Sequence, residues 1–351
     1  MTFRPPAGLY SQGQPRQPES ALASLGTPMT ASTDFISETG QFRGELLAYC
    51  YRMLGSADEA EDLVQETYLR AWRSYAGFEG RASVRTWLYR IATNACLTAI
   101  DRRGRRPLPS GLGAPGGDPA APVTAGPGVP WLQPLPGALL AAEAADPAAV
   151  AASRAGLRLA LVAAWQYLPA RQRAVLILRD VLDWPAAEVA GLLGTSTTAV
   201  NSALRRARAQ VAGVLPAEHA VTEPPEPAQR ALLDQFMVAF EHADVAGLAR
   251  LLRDDVVLEM PPLLTWFAGR GNVTRFFARQ VFPQAQFTMV ATTANGQPAA
   301  AGYHRDRGGG CQAHALTVLT VAPGGIARID TFLDPGLFPK FGLPGQLPST
   351  C

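Results

Sequence analysis

The stretch WPAAEVAGLLGTSTTAVNSALRRARAQV, Trp184 to Val211, limits the possible folds more than any other part of the chain. Ala190 is followed four residues later by Gly194 and ten later by Val200. That is the spacing of a helix-turn-helix. The small residue lets two helices cross closely, the glycine takes the turn, and the apolar residue packs the second helix. Thr195 or Ser196 can cap that second helix. Val200, Ala203, Leu204, Ala207 and Val211 make its buried stripe. Thr197, Thr198, Asn201, Ser202 and Arg205 are left facing out, in the half that recognition helices set against base edges in the major groove. Asn pairs with adenine there and Arg with guanine. Arg206 and Arg208 fall later and suit phosphates. The competing reading is an ordinary two-helix corner with a solvated arginine face.

The net charge is only +2, so the total does not announce a nucleic-acid partner. Local charge does. Residues 70–106 hold nine arginines against Glu79 and Asp101, a patch that attracts polyanions by counterion release. Just before it, DEAEDLVQETYLRAW (Asp58 to Trp72) has five acidic residues in its first nine. Leu63, Val64, Thr67, Tyr68, Ala71 and Trp72 form the apolar stripe of this helix. Asp58, Glu61, Asp62, Gln65 and Glu66 occupy the rest of its surface. The preceding helix carries Leu46, Leu47, Cys50, Tyr51 and Leu54, and Gly55 stops it. Ser56 and Glu59 have the spacing of a capping box. After a loop with Gly77 and Gly80, a long helix runs from about Ser83 to Arg102. Trp87, Leu88, Ile91, Ala92, Ala95 and Ala99 are available for its core. A run of arginines at its end also suits the negative pole of a helix.

The chain divides by composition. Residues 1–34 read as a polar, proline-rich disordered tail, with Met29 as an alternative start. Residues 35–106 are helical. Residues 107–148 are rich in Pro, Gly and Ala and read as a linker. Helical periodicity returns over 149–216, a second Pro-rich joint covers 217–227, and 344–351 is a tail. Between them, 228–343 reads as helices followed by alternating or apolar strands. The fold class is therefore multidomain, two all-α domains followed by an α+β domain. The four cysteines are scattered without a C-x-x-C pair, which points away from a disulfide framework or zinc site and towards the cytoplasm. There is no apolar run long enough to span a membrane and no signal-peptide core. No cofactor motif is evident.

Taken together, FRGELLAYCYRMLGSADEAEDLVQETYLRAWRSYAGFEGRASVRTWLYRIATNACLTAIDRRGRR resembles sigma region two. VAAWQYLPARQRAVLILRDVLDWPAAEVAGLLGTSTTAVNSALRRARAQ resembles sigma region four. The pair resembles an extracytoplasmic-function sigma factor of bacterial RNA polymerase. The last third resembles a cone-shaped SnoaL-like domain, and TFLDPGLFPKFGLP, PLPSGLG and WLQPLP match the SnoaL-tailed actinobacterial subgroup. The resemblance implies core RNA polymerase and promoter DNA as partners. It places Asp58, Glu61, Asp62, Gln65 and Glu66 against the clamp coiled coil of the largest polymerase subunit. It assigns Phe78, Arg81, Arg85, Trp87, Arg90, Asn94, Arg102 and Arg103 to the minus-ten element, although Trp87 is equally a core residue. It assigns Thr197, Thr198, Asn201, Ser202, Arg205, Arg206 and Arg208 to the minus-thirty-five element.

The two promoter elements lie about 85 Å apart, at ~34–36 Å per turn. A free tether the length of 107–148 averages about 36 Å end to end, so polymerase must hold the two domains apart. A SnoaL-like fold does not settle function. Catalysis would need a carboxylate or histidine in an apolar pocket, with Asp330, His304, His314 and Trp266 as candidates. The expectation is a non-enzymatic, modulating third domain with a possible small-molecule ligand. The alternative is a SnoaL-type enzyme or sensor fused to a helix-turn-helix regulator.

Overall fold

The computed structural model describes residues 35–80, 82–126, 128–141, 156–213, 225–305 and 310–348. The expected tail at 1–34, Arg81 and most of the 217–227 joint lie outside the described residues.

Helices α1 (Arg43–Leu54), α2 (Ala57–Ser74) and α3 (Val84–Arg103) form the first bundle. Gly55 ends α1 in the left-handed region at φ 69°, where a side chain would be strained. Ser56 then caps α2, its hydroxyl accepting the Glu59 N–H at 3.3 Å. The expected return bond is absent. The Glu59 carboxylate pairs instead with Arg103 and Arg106, tying the start of α2 to the end of α3. Trp72 is another departure. It meets Phe35 edge-on yet remains 42% exposed, because Ala71 takes the buried position and the next residue lies about 100° further round a 3.6-residue helix.

The second helical group is α4 (Leu159–Trp165), α5 (Ala170–Leu176, continued by a π turn at Ile177–Val181), α6 (Ala186–Leu193) and α7 (Thr197–Ala212). The third contains α8 (Glu226–Glu241), α9 (Val245–Leu251), α10 (Arg270–Phe276) and seven strands. These are β1 (Leu252–Glu259), β2 (Phe267–Ala268), β3 (Phe287–Ala294), β4 (Gln297–Arg305), β5 (Cys311–Ala322), β6 (Gly325–Phe332) and β7 (Gln346–Leu347). The sheet runs β2-β1-β6-β5-β4-β3, with β7 on β5. The β1–β6 pair is parallel and the others antiparallel.

Alternation along the strands gives the sheet two apolar faces. One packs Leu258, Leu319 and Ile329 against Phe236 of α8 and Phe276 of α10. The other, with Ala301, Tyr303, Leu316, Val318 and Phe332, joins the same core as both helical groups. A sheet buried on both faces leaves little of the third domain independent of the rest.

The expected free linker is instead a docked strap. Leu108, Leu132 and Leu135 are buried in that shared core. The Ser110 N–H donates to Glu259 Oε1 at 2.7 Å, and the Thr124 N–H to Thr265 Oγ1 at 2.9 Å. Gly116 N–H donates to the Trp266 carbonyl at 2.7 Å, and Trp266 Nε1 to Gly113 O at 2.9 Å. Gln280 Nε2 reaches Pro119 O at 2.6 Å and Ala121 O at 2.8 Å. The physical reason is that proline-rich backbone has carbonyls and a few N–H groups unspent on local structure, and side chains of the third domain satisfy them. Limited proteolysis of the intact chain should therefore leave residues 107–137 uncut under conditions that cleave denatured protein; early cleavage there, mapped by mass spectrometry, would restore the free tether.

Cys50 and Cys96 are free and buried. Cys311 is disulfide-bonded, contrary to the expectation of unpaired cysteines. Cys311 opens β5 on the edge where β7 pairs, with Leu347 opposite it.

Candidate nucleic-acid interface

The helix-turn-helix forms as its spacing requires. Gly194 takes φ 62° between α6 and α7. Ser196 caps α7 by accepting the Ala199 N–H at 3.2 Å. Ala190 and Val200 are buried at the crossing. Thr197, Thr198, Asn201, Arg205 and Arg206 are exposed and Ser202 is half-buried. Arg208 is turned away from them, held by Asp180 through two bonds at 2.8 and 2.6 Å.

The arginine-rich helix α3 gives a more divided picture. Arg85 makes a bidentate pair with Glu45 at 2.9 Å and also lies over the Trp184 ring at 5.1 Å. The Glu45 carboxylate raises the Arg85 guanidinium against the opposing effect of burial. Phe78 and Trp87 form a ring pair at 4.8 Å. Trp87 is half-buried and packed on the core. Asn94 and Arg102 are exposed, and Arg103 is paired with Glu59. Arg90 is exposed at its flank but reaches across to the Gly191 carbonyl of α6 at 3.5 Å.

Those contacts set the first helical domain directly against the second. Tyr89 and Trp184 make a tilted ring contact at 4.9 Å. Arg173 of α5 is buried, donating to Gln166 Oε1 at 2.8 Å, to Leu168 O at 3.2 Å and to the carbonyl of Met53 in α1. Burial pulls its guanidinium down to about 10, so it is still charged near neutrality. Arg52 answers from α1, donating to Gly156 O at 3.2 Å. Nothing in the motif reading singled out Arg173 or Arg52. Arginines within apolar helical runs were the available signal.

On α2, the acidic positions separate into two sets. Asp58 is held by Lys340 at 2.7 Å and by Gln133 at 3.2 Å. Glu61 pairs with Arg43. Asp62 and Gln65 are exposed, and Glu66 pairs only along its own helix, with Arg70 at 2.6 Å. Leu69 is 52% exposed on the same stripe.

The four candidates for catalysis do not converge. Asp330 lies on the sheet face opposite the apolar cavity, bonded to Arg328 at 3.2 Å. Trp266 holds the strap. His314 does line a cavity of about 80 Å³, with Phe240, Met289, Thr317 and Thr331. His304 meets its ring edge-on at 5.3 Å. Burial, then the neighbouring His304, keeps His314 below its usual value and therefore neutral. The cavity is well short of the roughly 300–1,000 Å³ of ordinary ligand sites. Among the described residues no helix is long and apolar enough to cross a membrane.

Residues 40–106 match the family model for Sigma-70 region 2, residues 158–211 that for Sigma-70 region 4, and residues 233–329 that for a SnoaL-like domain. The ECF RNA polymerase sigma factor SigG of Mycobacterium tuberculosis is 47% identical over 317 residues, covering 90% of this chain and 85% of that protein. SigJ of the same species is 27% identical over 322 residues, covering 86% and 93%. The crystal structure of SigJ superimposes with a TM-score of 0.58 at 22% identity, over 88% of this chain and all of that one, and so shares the fold.

Proposed function

Because this chain belongs to the extracytoplasmic-function sigma factors of bacterial RNA polymerase, we propose that it docks on core polymerase through α2 and reads promoters through α3 and α7, and that its third domain holds the two readers together between rounds. The site of action is then the cytoplasm, where polymerase works. Phe78, Arg81, Arg85, Trp87, Arg90, Asn94, Arg102 and Arg103 serve the minus-ten element. Thr197, Thr198, Asn201, Ser202, Arg205 and Arg206 serve the minus-thirty-five element, with Arg208 joining them once Asp180 releases it.

The observation that carries the resting-state reading is the contact between the two readers. Arg90 touches α6 and Arg85 is pinned between Glu45 and Trp184. The elements they serve lie about 85 Å apart on straight DNA, from ~34–36 Å per turn. Both cannot be engaged while the readers touch. The chain must open on polymerase, which acts as the spacer. A docked strap and a third domain with contacts to both readers oppose that opening, as a separate inhibitory protein would. The small cavity beside His314 favours a sensor over an enzyme, since any ligand would have to spread the β6 and α8 walls.

Run-off transcription with core polymerase and the purified chain tests this. Discrete starts should require both components. Asn201→Ala and Arg205→Ala should each weaken use of a promoter by about 1–3 kcal/mol, or roughly fivefold to 150-fold, through its minus-thirty-five element only. Equal losses on templates with that element scrambled would remove α7 from the reading.

A further inference from the structure

The third domain meets both helical groups and the strap at a buried polar turn, and Gln297, two residues on, accepts the Leu159 N–H at 2.9 Å beside it. The turn between β3 and β4 is Asn295-Gly296, with φ 57° and 71°. Asn-Gly is the usual sequence for a tight hairpin tip, and such tips normally lie in water. Here Asn295 is fully buried. Its Oδ1 accepts the Leu135 N–H of the strap at 2.8 Å. Its Nδ2 donates to the Leu157 carbonyl, at the entrance to the second helical group, at 2.6 Å. The same Nδ2 donates to the Tyr51 hydroxyl of α1 at 2.7 Å, and that hydroxyl donates on to Gln133 O at 2.8 Å. One carboxamide thus joins the first reader, the strap and the second reader, with both of its N–H groups used.

We infer that Asn295 is the positioning residue through which the third domain keeps the two promoter readers in contact. This deepens the resting-state reading above and rests on it. The argument is one of shared consequence. If the hairpin tip withdraws, the Leu135 N–H, the Leu157 carbonyl and the Tyr51 hydroxyl lose their partner together, in a buried site where each unmet group is costly. The three segments are therefore released as a set. The direct contacts between readers run beside this point, Arg52 to Gly156 and Arg173 to Met53, and lose their backing when it opens.

Asn295→Asp is the discriminating variant. Aspartate fits the left-handed turn and keeps an acceptor for Leu135, but it sets a carboxylate oxygen against the Leu157 carbonyl. Tyr51→Phe removes one acceptor and leaves the hairpin itself unchanged. Labels on Ser74 and Ala209, both exposed, report the separation of the readers in the full chain. Melting of the third domain and run-off transcription at limiting core polymerase are measured in parallel. Asn295→Asp should raise the separated fraction by about tenfold or more, Tyr51→Phe by less, and both should raise transcription. Separation with unchanged transcription would uphold the role of Asn295 and overturn the regulatory reading. Unchanged separation in both variants, with the third domain folded, would overturn the role of Asn295 whatever transcription does. If Asn295→Asp unfolds the domain, Tyr51→Phe alone decides: more separation upholds the inference and none overturns it.

Discussion

Asp62→Arg together with Glu66→Arg is expected to abolish promoter-specific transcription while leaving the chain folded. Asp62 is exposed, and Glu66 pairs only with Arg70 in a solvent-exposed i, i+4 bridge, which contributes little to stability. The pair therefore costs the fold about 1 kcal/mol or less. Its cost to docking is far larger. Asp62, Gln65, Glu66 and Leu69 recur at helical spacing on one face, and Leu69 and Trp72 add exposed apolar area of 52% and 42% beside the acids. Apolar anchors next to a charged rim are how interfaces concentrate binding energy. If α2 docks as proposed, reversing these charges costs about 2–5 kcal/mol or more, a loss of roughly 30-fold to several thousand-fold. Core-binding affinity and run-off transcription should fall together. Full transcription by a folded double variant would remove α2 from the polymerase contact. Glu61 is a poor probe by comparison. It pairs with Arg43, and its second oxygen is buried without a partner, so an arginine there would disturb the bundle itself.

Local sequence foretold the elements well where local physics decides them. Gly55, Ser56, Gly194 and Ser196 act at the positions their chemistry favours, and strands of the third domain fall on the alternating or apolar runs VVLE, FTMVATT and IARIDTF. The strap was illegible because nothing local encodes its partners. Leu108, Leu132 and Leu135 are isolated apolar residues among prolines, and the third-domain groups that take the strap's N–H groups at Ser110, Thr124 and Leu135 lie some 140 to 160 residues on. The face of Asp330 was illegible for a related reason. Alternation says which residues share a face, but both faces of this sheet are buried, so polarity could not tell cavity from domain junction. Asn295 shows the same limit from the other side. TANGQ announces a hairpin, and only the docking of three segments on its tip makes that hairpin a junction.

Arg328→Met is expected to cost the third domain about 3–5 kcal/mol, because it strands two buried carboxylates. Glu259 and Asp330 are both fully buried and share the one guanidinium, at 2.8 and 3.2 Å. Glu259 Oε1 also accepts the Ser110 N–H, and Asp330 Oδ2 has no partner. One positive charge cannot balance two negative ones in so deeply buried a site. Burial, reinforced by Glu259 against the opposing pull of Arg328, pushes Asp330 from its ordinary 3.8 up to about 7. The folded chain then binds this proton more tightly than the unfolded chain does. The Asp330 contribution to stability is complete below about pH 4, declines above that, and is lost as pH rises through about 7. Urea midpoints of the parent should therefore fall across that window, and those of Asp330→Asn should not show that part of the slope. Because Ser110 is bonded to Glu259, the same window and the same Arg328→Met substitution should increase cleavage of the strap. Parallel slopes for parent and Asp330→Asn would mean that Asp330 is ionised in the folded chain and that Arg328 alone satisfies both acids.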